Sequence, residues 1–288
     1  MCWHAPRRSR GRAKRCPRSS RRSRSSGTTS RSSTSRRCAT TRSSARRSCW
    51  RRRRRSSALA RVVLVTGGSG ALGQAITRRF LAEGAMVCVP WIVEAERERL
   101  AASVDAIARP RLVLERCDIT DDTAMAGLTQ SLLARHRHID VLVSAVGGFA
   151  MGDLAQTDRR LWDSMLTLNL TTAYVATHAV VPPMLAGGGG RVVAVASRAV
   201  VPPTGGFIAY TVAKAGVIAL VQALAAETRG RGVTVNAVLP STMDTPANRA
   251  AMPNVDPKTW VPVEAVADAI AYLAAESSGH VTGTLLAV

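Results

Sequence analysis

From residue 61 onward the chain carries six short runs of apolar, mostly β-branched residues that do not alternate with polar ones. They read "RVVLVTG" (61–67), "AMVCVPW" (85–91), "RLVLERCD" (111–118), "IDVLVSAVGG" (139–148), "GRVVAVAS" (190–197) and "GVTVNAVLP" (232–240). A strand with one wet face alternates at period two. A strand that is apolar throughout is covered on both faces, as in a parallel sheet between helix layers. Helical patterns separate the runs: "ALGQAITRRFLAEG" stopped by Gly84, "EAERERLAASVDAIA", "DDTAMAGLTQSLLARH", a long helix ending near Pro182, and a helix from about residue 206 to 228. Strand–helix alternation with short links predicts one α/β domain built on a doubly wound parallel sheet over residues 58–288. A chain of this size can bury roughly 70% of its surface, enough for one large core.

The net charge of +21 would point to nucleic acid if it were spread over the fold. It is not. Residues 1–57 hold 20 Arg and Lys14 with no Asp or Glu, and the remaining 19 basic residues face 19 acidic ones. The basic segment has no Leu, Ile, Val, Phe or Tyr, so it cannot offset the entropy of ordering and is expected to be a disordered extension. It lacks the apolar stretch of a secretory or twin-arginine signal and the amphipathic face of a transit peptide. A phosphate-binding arm and a translated upstream stretch outside the working protein both remain open for it. Cys2, Cys16, Cys38 and Cys49 show no zinc-type CxxC pairing, while Cys88 and Cys117 fall in strands as small buried hydrophobes. No disulfide framework is implied, which suits a reducing cytoplasm. The longest apolar run, "AGVIALVQALAA", is about 12 residues, short of a membrane span.

The first strand runs straight into "TGGSGALG" (66–73) and then into a helix. Gly67 permits a tight turn, small residues after it let a pyrophosphate and the sheet come close, and the free N–H groups of a helix N-terminus favour an anion. Further on, "FIAYTVAKAG" (207–216) puts Tyr210 and Lys214 four positions apart, on one helical face, in a chain with three Tyr and three Lys. A free tyrosine has a pKa near 10, and a nearby ammonium favours the phenolate. Ser197, thirteen residues earlier at the end of the fifth strand, offers a hydroxyl to a substrate oxygen.

In order and spacing these motifs resemble the short-chain dehydrogenase/reductase family, over essentially all of residues 60–288. The resemblance implies a Rossmann-type fold and an NAD- or NADP-dependent oxidoreductase acting on a small carbonyl or secondary alcohol. It implies Tyr210 as general acid/base, Ser197 polarising the carbonyl, Lys214 lowering the tyrosine pKa and holding the nicotinamide ribose, and Asn169 supporting a water that links Lys214 to solvent. It implies cofactor contacts at Gly67, Ser69, Leu72 and Gly73 of the loop, at Asp118 and Ile119 after the third strand, and at Ala145 and Gly147 in "SAVG". Pro240, Met243 and Thr245 in "PSTMDT" complete the set, with Tyr210 and Lys214 themselves. Three departures stand out: Ala71 at the loop's sixth place, "SAVG" for the family's N-N-A-G, and Trp91 where an acidic residue ends the second strand. Trp91 leaves the choice between NAD and NADP open.

The segment 238–262 and "GGFAMG" (147–152) are similar to the dihydropteridine reductase branch, with Met252 and Trp260 expected to cover a flat or apolar substrate. A long, irregular loop there reads as a lid. The histidines show no zinc spacing, so no metal is expected. The expected assembly is a homodimer or homotetramer, because relatives pair the helices around Asn169 and Lys214. Two rival readings remain: a nucleotide-binding regulator of the same fold without turnover, and a nucleic-acid-associated protein acting through the tail.

Overall fold

The computed structural model of the chain describes residues 60–288. The expectations for residues 1–57, including the disordered arm, its cysteines and any nucleic-acid contact, lie outside the described residues.

Seven parallel strands form one sheet in the order β3-β2-β1-β4-β5-β6-β7. They are β1 Val62–Thr66, β2 Met86–Trp91, β3 Leu112–Arg116, β4 Val141–Ser144, β5 Gly190–Val195, β6 Val233–Leu239 and β7 Leu285–Ala287. Every residue of β1, β4, β5 and β6 is buried. Successive side chains point to opposite faces. Leu64, Leu142, Val192 and Val235 meet one helix layer, and Val63, Val65, Val141, Val143 and Val193 meet the other. Two dry faces explain why the runs do not alternate.

The first layer holds α3 (Asp122–His136), α5 (Thr172–Gly187) and α6 (Ile208–Thr228); the second holds α1 (Ala71–Ala82) and α8 (Val263–Ala274). Helix α8 ends on two strand arginines. Arg61 beside β1 donates to the Ala274 carbonyl, and Arg191 in β5 donates to that of Ala275 at 3.4 Å, cations placed where the last carbonyls of a helix need donors. Strand order reverses between β1 and β4, so a crevice opens beyond the C-terminal ends of those two strands.

The structure corrects several boundaries. Helix α2 (Glu94–Ser103) stops short of residue 108 because Asp105 folds back, its Oδ1 accepting from Ala108 N at 2.8 Å, and a 3₁₀ turn at Arg109–Arg111 leads into β3. The long helix does not end near Pro182. It runs from α4 (Arg159–Leu166) through a π-turn at Thr167–Thr171 and α5, past Pro182 and Pro183, to a left-handed cap at Gly188. Packing of Val180, Val181 and Met184 into the core outweighs the hydrogen bonds those prolines cannot donate. Strand β7, three residues long, is too short to show a pattern.

Helix α6, with 21 residues, is long and apolar enough to cross a membrane by composition. Here it lies along the sheet with Val217, Ile218, Val221 and Ala225 in the core.

Candidate active site

The crevice is lined first by the glycine loop. Gly67 has φ +72°, and a Cβ there would stand 2.7 Å from Val146 N and 2.8 Å from the Ala145 carbonyl carbon. A Cβ at Gly73 would stand 1.9 Å from Gly67 O. Both positions therefore require glycine, one for its backbone conformation and both for close approach. Ala71 is exposed as the first residue of α1, so its methyl group meets nothing that a glycine would spare. Gly70 caps α1 without any side-chain hydrogen bond, leaving the first N–H groups of the helix to an anion. Leu72 is buried beneath the loop, and Ser69 Oγ donates to Glu96 Oε2 at 2.8 Å.

Across the crevice, "SAVG" follows β4. Ala145 N donates to Thr66 O at 3.1 Å, which pins this turn to the loop. A Cβ at Gly147 would stand 2.7 Å from Asn169 Oδ1 and 3.0 Å from Lys214 Nζ, so backbone at 147 separates the two side chains. Asn169 sits in the π-turn, buried, and grips the next residue: its Nδ2 donates to Gly148 O at 3.1 Å and its Oδ1 accepts from Gly148 N at 3.2 Å. Nδ2 also donates to Met165 O at 3.1 Å. Both amide hydrogens are thus spent inside the protein, and only a remaining lone pair of Oδ1 is left for a water. π-bulges of this kind re-aim side chains.

Lys214 is fully buried on α6, its Nζ donating to Val195 O at 2.8 Å at the end of β5. Burial pulls its pKa from 10.5 down to about 8. One turn earlier, Tyr210 stands beside the Ser197 hydroxyl. Burial raises the Tyr210 pKa and the Ser197 hydroxyl opposes it, with burial the larger. With its pKa raised, the phenol rests protonated, as a donor. Ser197 is buried, its Oγ accepts from Ala199 N at 3.2 Å, and the following Arg198 N donates to Pro240 O at 3.0 Å.

Two other rims complete the crevice. Beyond β3, Asp118 Oδ1 accepts from the Thr120 N–H at 2.9 Å and its hydroxyl at 2.7 Å, which lowers the carboxyl pKa. Asp118 is exposed, with Ile119 buried beside it, and Asp121 caps α3. Beyond β6, Thr245 caps α7 (Pro246–Ala251) by accepting from Asn248 N, and Asn248 Nδ2 donates to Met243 O at 2.8 Å. The segment expected as an irregular lid is instead pinned at both ends, Val261 N donating to Thr242 O and Asp244 N to Val261 O, both at 2.9 Å. Trp260 is buried, so it packs inward and does not lie exposed over the crevice.

The profile of the short chain dehydrogenase family matches residues 61–256. The chain belongs to that family. Among the relatives of this dehydrogenase, the dehydrogenase subunit BbsD of Thauera aromatica is 32% identical over 239 residues, covering 79% of this chain and 94% of its own length. The D-threitol dehydrogenase of Mycolicibacterium smegmatis is 29% identical over 237 residues, covering 79% and 91%. A short-chain type dehydrogenase/reductase structure from Mycobacterium ulcerans superposes with a TM-score of 0.74 at 25% identity, covering 79% of this chain and 88% of that one. The chain is thus an NAD(P)-dependent oxidoreductase of the short-chain type.

The residues present fit such a cofactor. Glycines stand where a Cβ would fill the cradle, and Trp91 Nε1 at the end of β2 is buried with no hydrogen-bond partner among the described residues. Asn169 and Lys214 meet at Gly147, and Tyr210 lies one turn from Lys214 beside Ser197, while Asp118, Met243 and Thr245 lie beyond the ends of β3 and β6. Sequence reasoning missed Glu96, which reads as one more charge on a charged helix, and Phe207, which reads as an ordinary pre-helix residue.

Proposed function

We propose that residues 58–288 act as one catalytic domain that interconverts a carbonyl and a secondary alcohol, with Tyr210 delivering and removing the proton. The observation that supports this reading is Tyr210 beside the Ser197 hydroxyl, one helical turn from the buried Lys214 ammonium. A bound NAD or NADP supplies or accepts the hydride. The protein supplies the rest. Ser197 donates to the substrate oxygen and fixes its direction, and Tyr210 donates its proton as negative charge develops there. Lys214 stabilises the phenolate left behind, and Asn169 holds the Gly147–Gly148 backbone beside it. In the reverse direction the same phenolate removes the alcohol proton. Asp118, Ile119, Ala145, Gly147, Pro240, Met243 and Thr245 line the cofactor.

The reading is tested by supplying the full chain with NADH or NADPH and a panel of aldehydes and ketones, and following nicotinamide absorbance. Absence of turnover across the panel, with the cofactor bound, would favour the non-catalytic regulator.

The substrate is a carbonyl on a flat or apolar body. Phe149 is 57% exposed yet packs edge-on to Tyr210, with ring centroids 5.0 Å apart, and lies 5.5 Å from Phe207. The loop carrying it is tied to the start of α6, Gly152 N donating to Gly206 O at 2.8 Å and Ile208 N to Gly152 O at 3.1 Å. Exposed aromatic surface beside a reacting hydroxyl is ready to meet an apolar ligand. Phe149→Ala is expected to raise KM for an aryl ketone by about 3- to 10-fold, since a specific aromatic contact is worth about 0.5–1.5 kcal/mol. A small aliphatic ketone, reaching less of the ring, changes less. Equal effects on both would sink the flat-substrate reading.

The outer face of α6 shows Val212, Ala215, Ala219 and Ala223 to solvent. Small apolar residues at this spacing let a second helix approach closely, so the working form is a dimer or tetramer, and sedimentation should show no monomer at micromolar concentration. The cytoplasm, where nicotinamide cofactors are abundant, is the proposed location.

A further inference from the structure

Glu96 occupies the first turn of α2, and its Oε2 accepts from Ser69 Oγ inside the glycine loop at 2.8 Å. Ser69 is buried and Glu96 half-buried, so the carboxylate is drawn down onto the loop and away from open solvent. It lies 23 residues beyond Gly73, about the distance at which dinucleotide folds bring an acid to the ribose hydroxyls. Trp91 ends β2 without a carboxylate, and its buried indole N–H has no hydrogen-bond partner among the described residues.

Arg97 covers the Trp91 ring at 5.5 Å, its Nη2 pairs with Glu94 and stands 3.8 Å from Glu98, and its buried Nε has no hydrogen-bond partner among the described residues. The glycine loop itself contains no basic residue. A 2′-phosphate entering here would meet the Glu96 carboxylate, with Arg97 Nη2 held by Glu94. A free ribose diol would find an acceptor in the carboxylate.

We propose that Glu96, tethered by Ser69, takes the place of the acid missing from the end of β2 and makes this dehydrogenase prefer NAD over NADP. The inference rests on the glycine loop being the dinucleotide site. Glu96 receives the ribose hydroxyls, and like-charge repulsion disfavours the 2′-phosphate.

Titration of the full chain with NADH and NADPH, followed by cofactor fluorescence, tests this without any substrate. The wild type is expected to bind NADH at least about 10-fold more tightly. Glu96→Gln, which keeps the size and an acceptor oxygen, is expected to narrow that ratio about 10-fold, weakening NADH and strengthening NADPH. Ser69→Ala, which only releases the tether, moves the ratio in the same direction by less, and melting curves of both variants check that they fold. Equal or tighter binding of NADPH by the wild type, or an unchanged ratio in Glu96→Gln, overturns the role of Glu96 while leaving the dinucleotide site intact. Binding of neither cofactor by the folded wild type overturns the site itself, and this inference with it.

Discussion

Tyr210→Phe is expected to lower carbonyl reduction by about 10²–10⁴-fold, the range for losing a positioned general acid, while NADH binding changes less than about threefold. The substitution removes one oxygen and keeps the ring that Phe149 packs against at 5.0 Å and Phe207 at 6.1 Å. The aromatic wall therefore survives and the proton donor does not. Single-turnover rates with saturating cofactor give the measurement. A variant that keeps its rate would move the proton to another group, and Ser197, which stands beside the tyrosine hydroxyl, would be the next to test.

The same group predicts how rate depends on pH. Burial holds the Tyr210 pKa above its ordinary value of 10. The protonated donor needed for reduction is present throughout the neutral range and is lost only as pH rises through that raised value. The phenolate needed for alcohol oxidation is scarce at neutral pH, so oxidation should climb with pH across the alkaline range. A reduction rate that falls between pH 6 and pH 8, at a constant ionic strength, would contradict this sign.

Lys214→Met is expected to separate activity from stability. Turnover falls by on the order of 10² or more, because no other described charge stands beside Tyr210 on α6. Stability holds or rises. The wild-type ammonium is buried and, among the described residues, donates to one carbonyl, Val195 O at 2.8 Å, and its pKa of about 8 shows that the fold disfavours the charged form. The folded pKa lies below the unfolded value of 10.5, so the unfolded chain binds more protons between the two. Wild-type stability from this group is fully present above 10.5, and is lost as pH falls through about 8. The variant's advantage in Tm over the wild type should then be largest at and below pH 8 and shrink toward pH 10.5. The orphaned Val195 carbonyl costs about 1–3 kcal/mol and limits that advantage. A variant that melts far below the wild type at neutral pH would show that the ammonium holds the β5–α6 junction together.

Much of this architecture is legible along the chain, because it depends on short-range patterns. Apolar runs that ignore period two imply a sheet covered on both faces, and β1 and β4–β6 are indeed wholly buried. Gly67 and Gly73 are readable because a strand–loop–helix turn leaves no room for a Cβ, and Tyr210 with Lys214 because four residues complete roughly one helical turn. The boundaries that failed depend on packing: α5 continues past Pro182 and Pro183 because its inner face fills the core, and Trp260 turns inward because strand-like pairing at Thr242–Val261 closes its loop.

Sequence by itself therefore determined the order of the strands along the chain, the glycine turn and the spacing of the Asn169, Ser197, Tyr210 and Lys214 set. Tertiary structure alone decided which charges matter. Burial, a property of the whole fold, lowers the Lys214 pKa and raises that of Tyr210. Glu96 looks like any other acid of a solvated helix until the sheet brings α2 over the glycine loop, 27 residues back along the chain, and Ser69 binds it. Helical spacing and steric exclusion act over a few residues and leave a mark in the sequence; desolvation and contacts between distant elements exist only once the chain has folded.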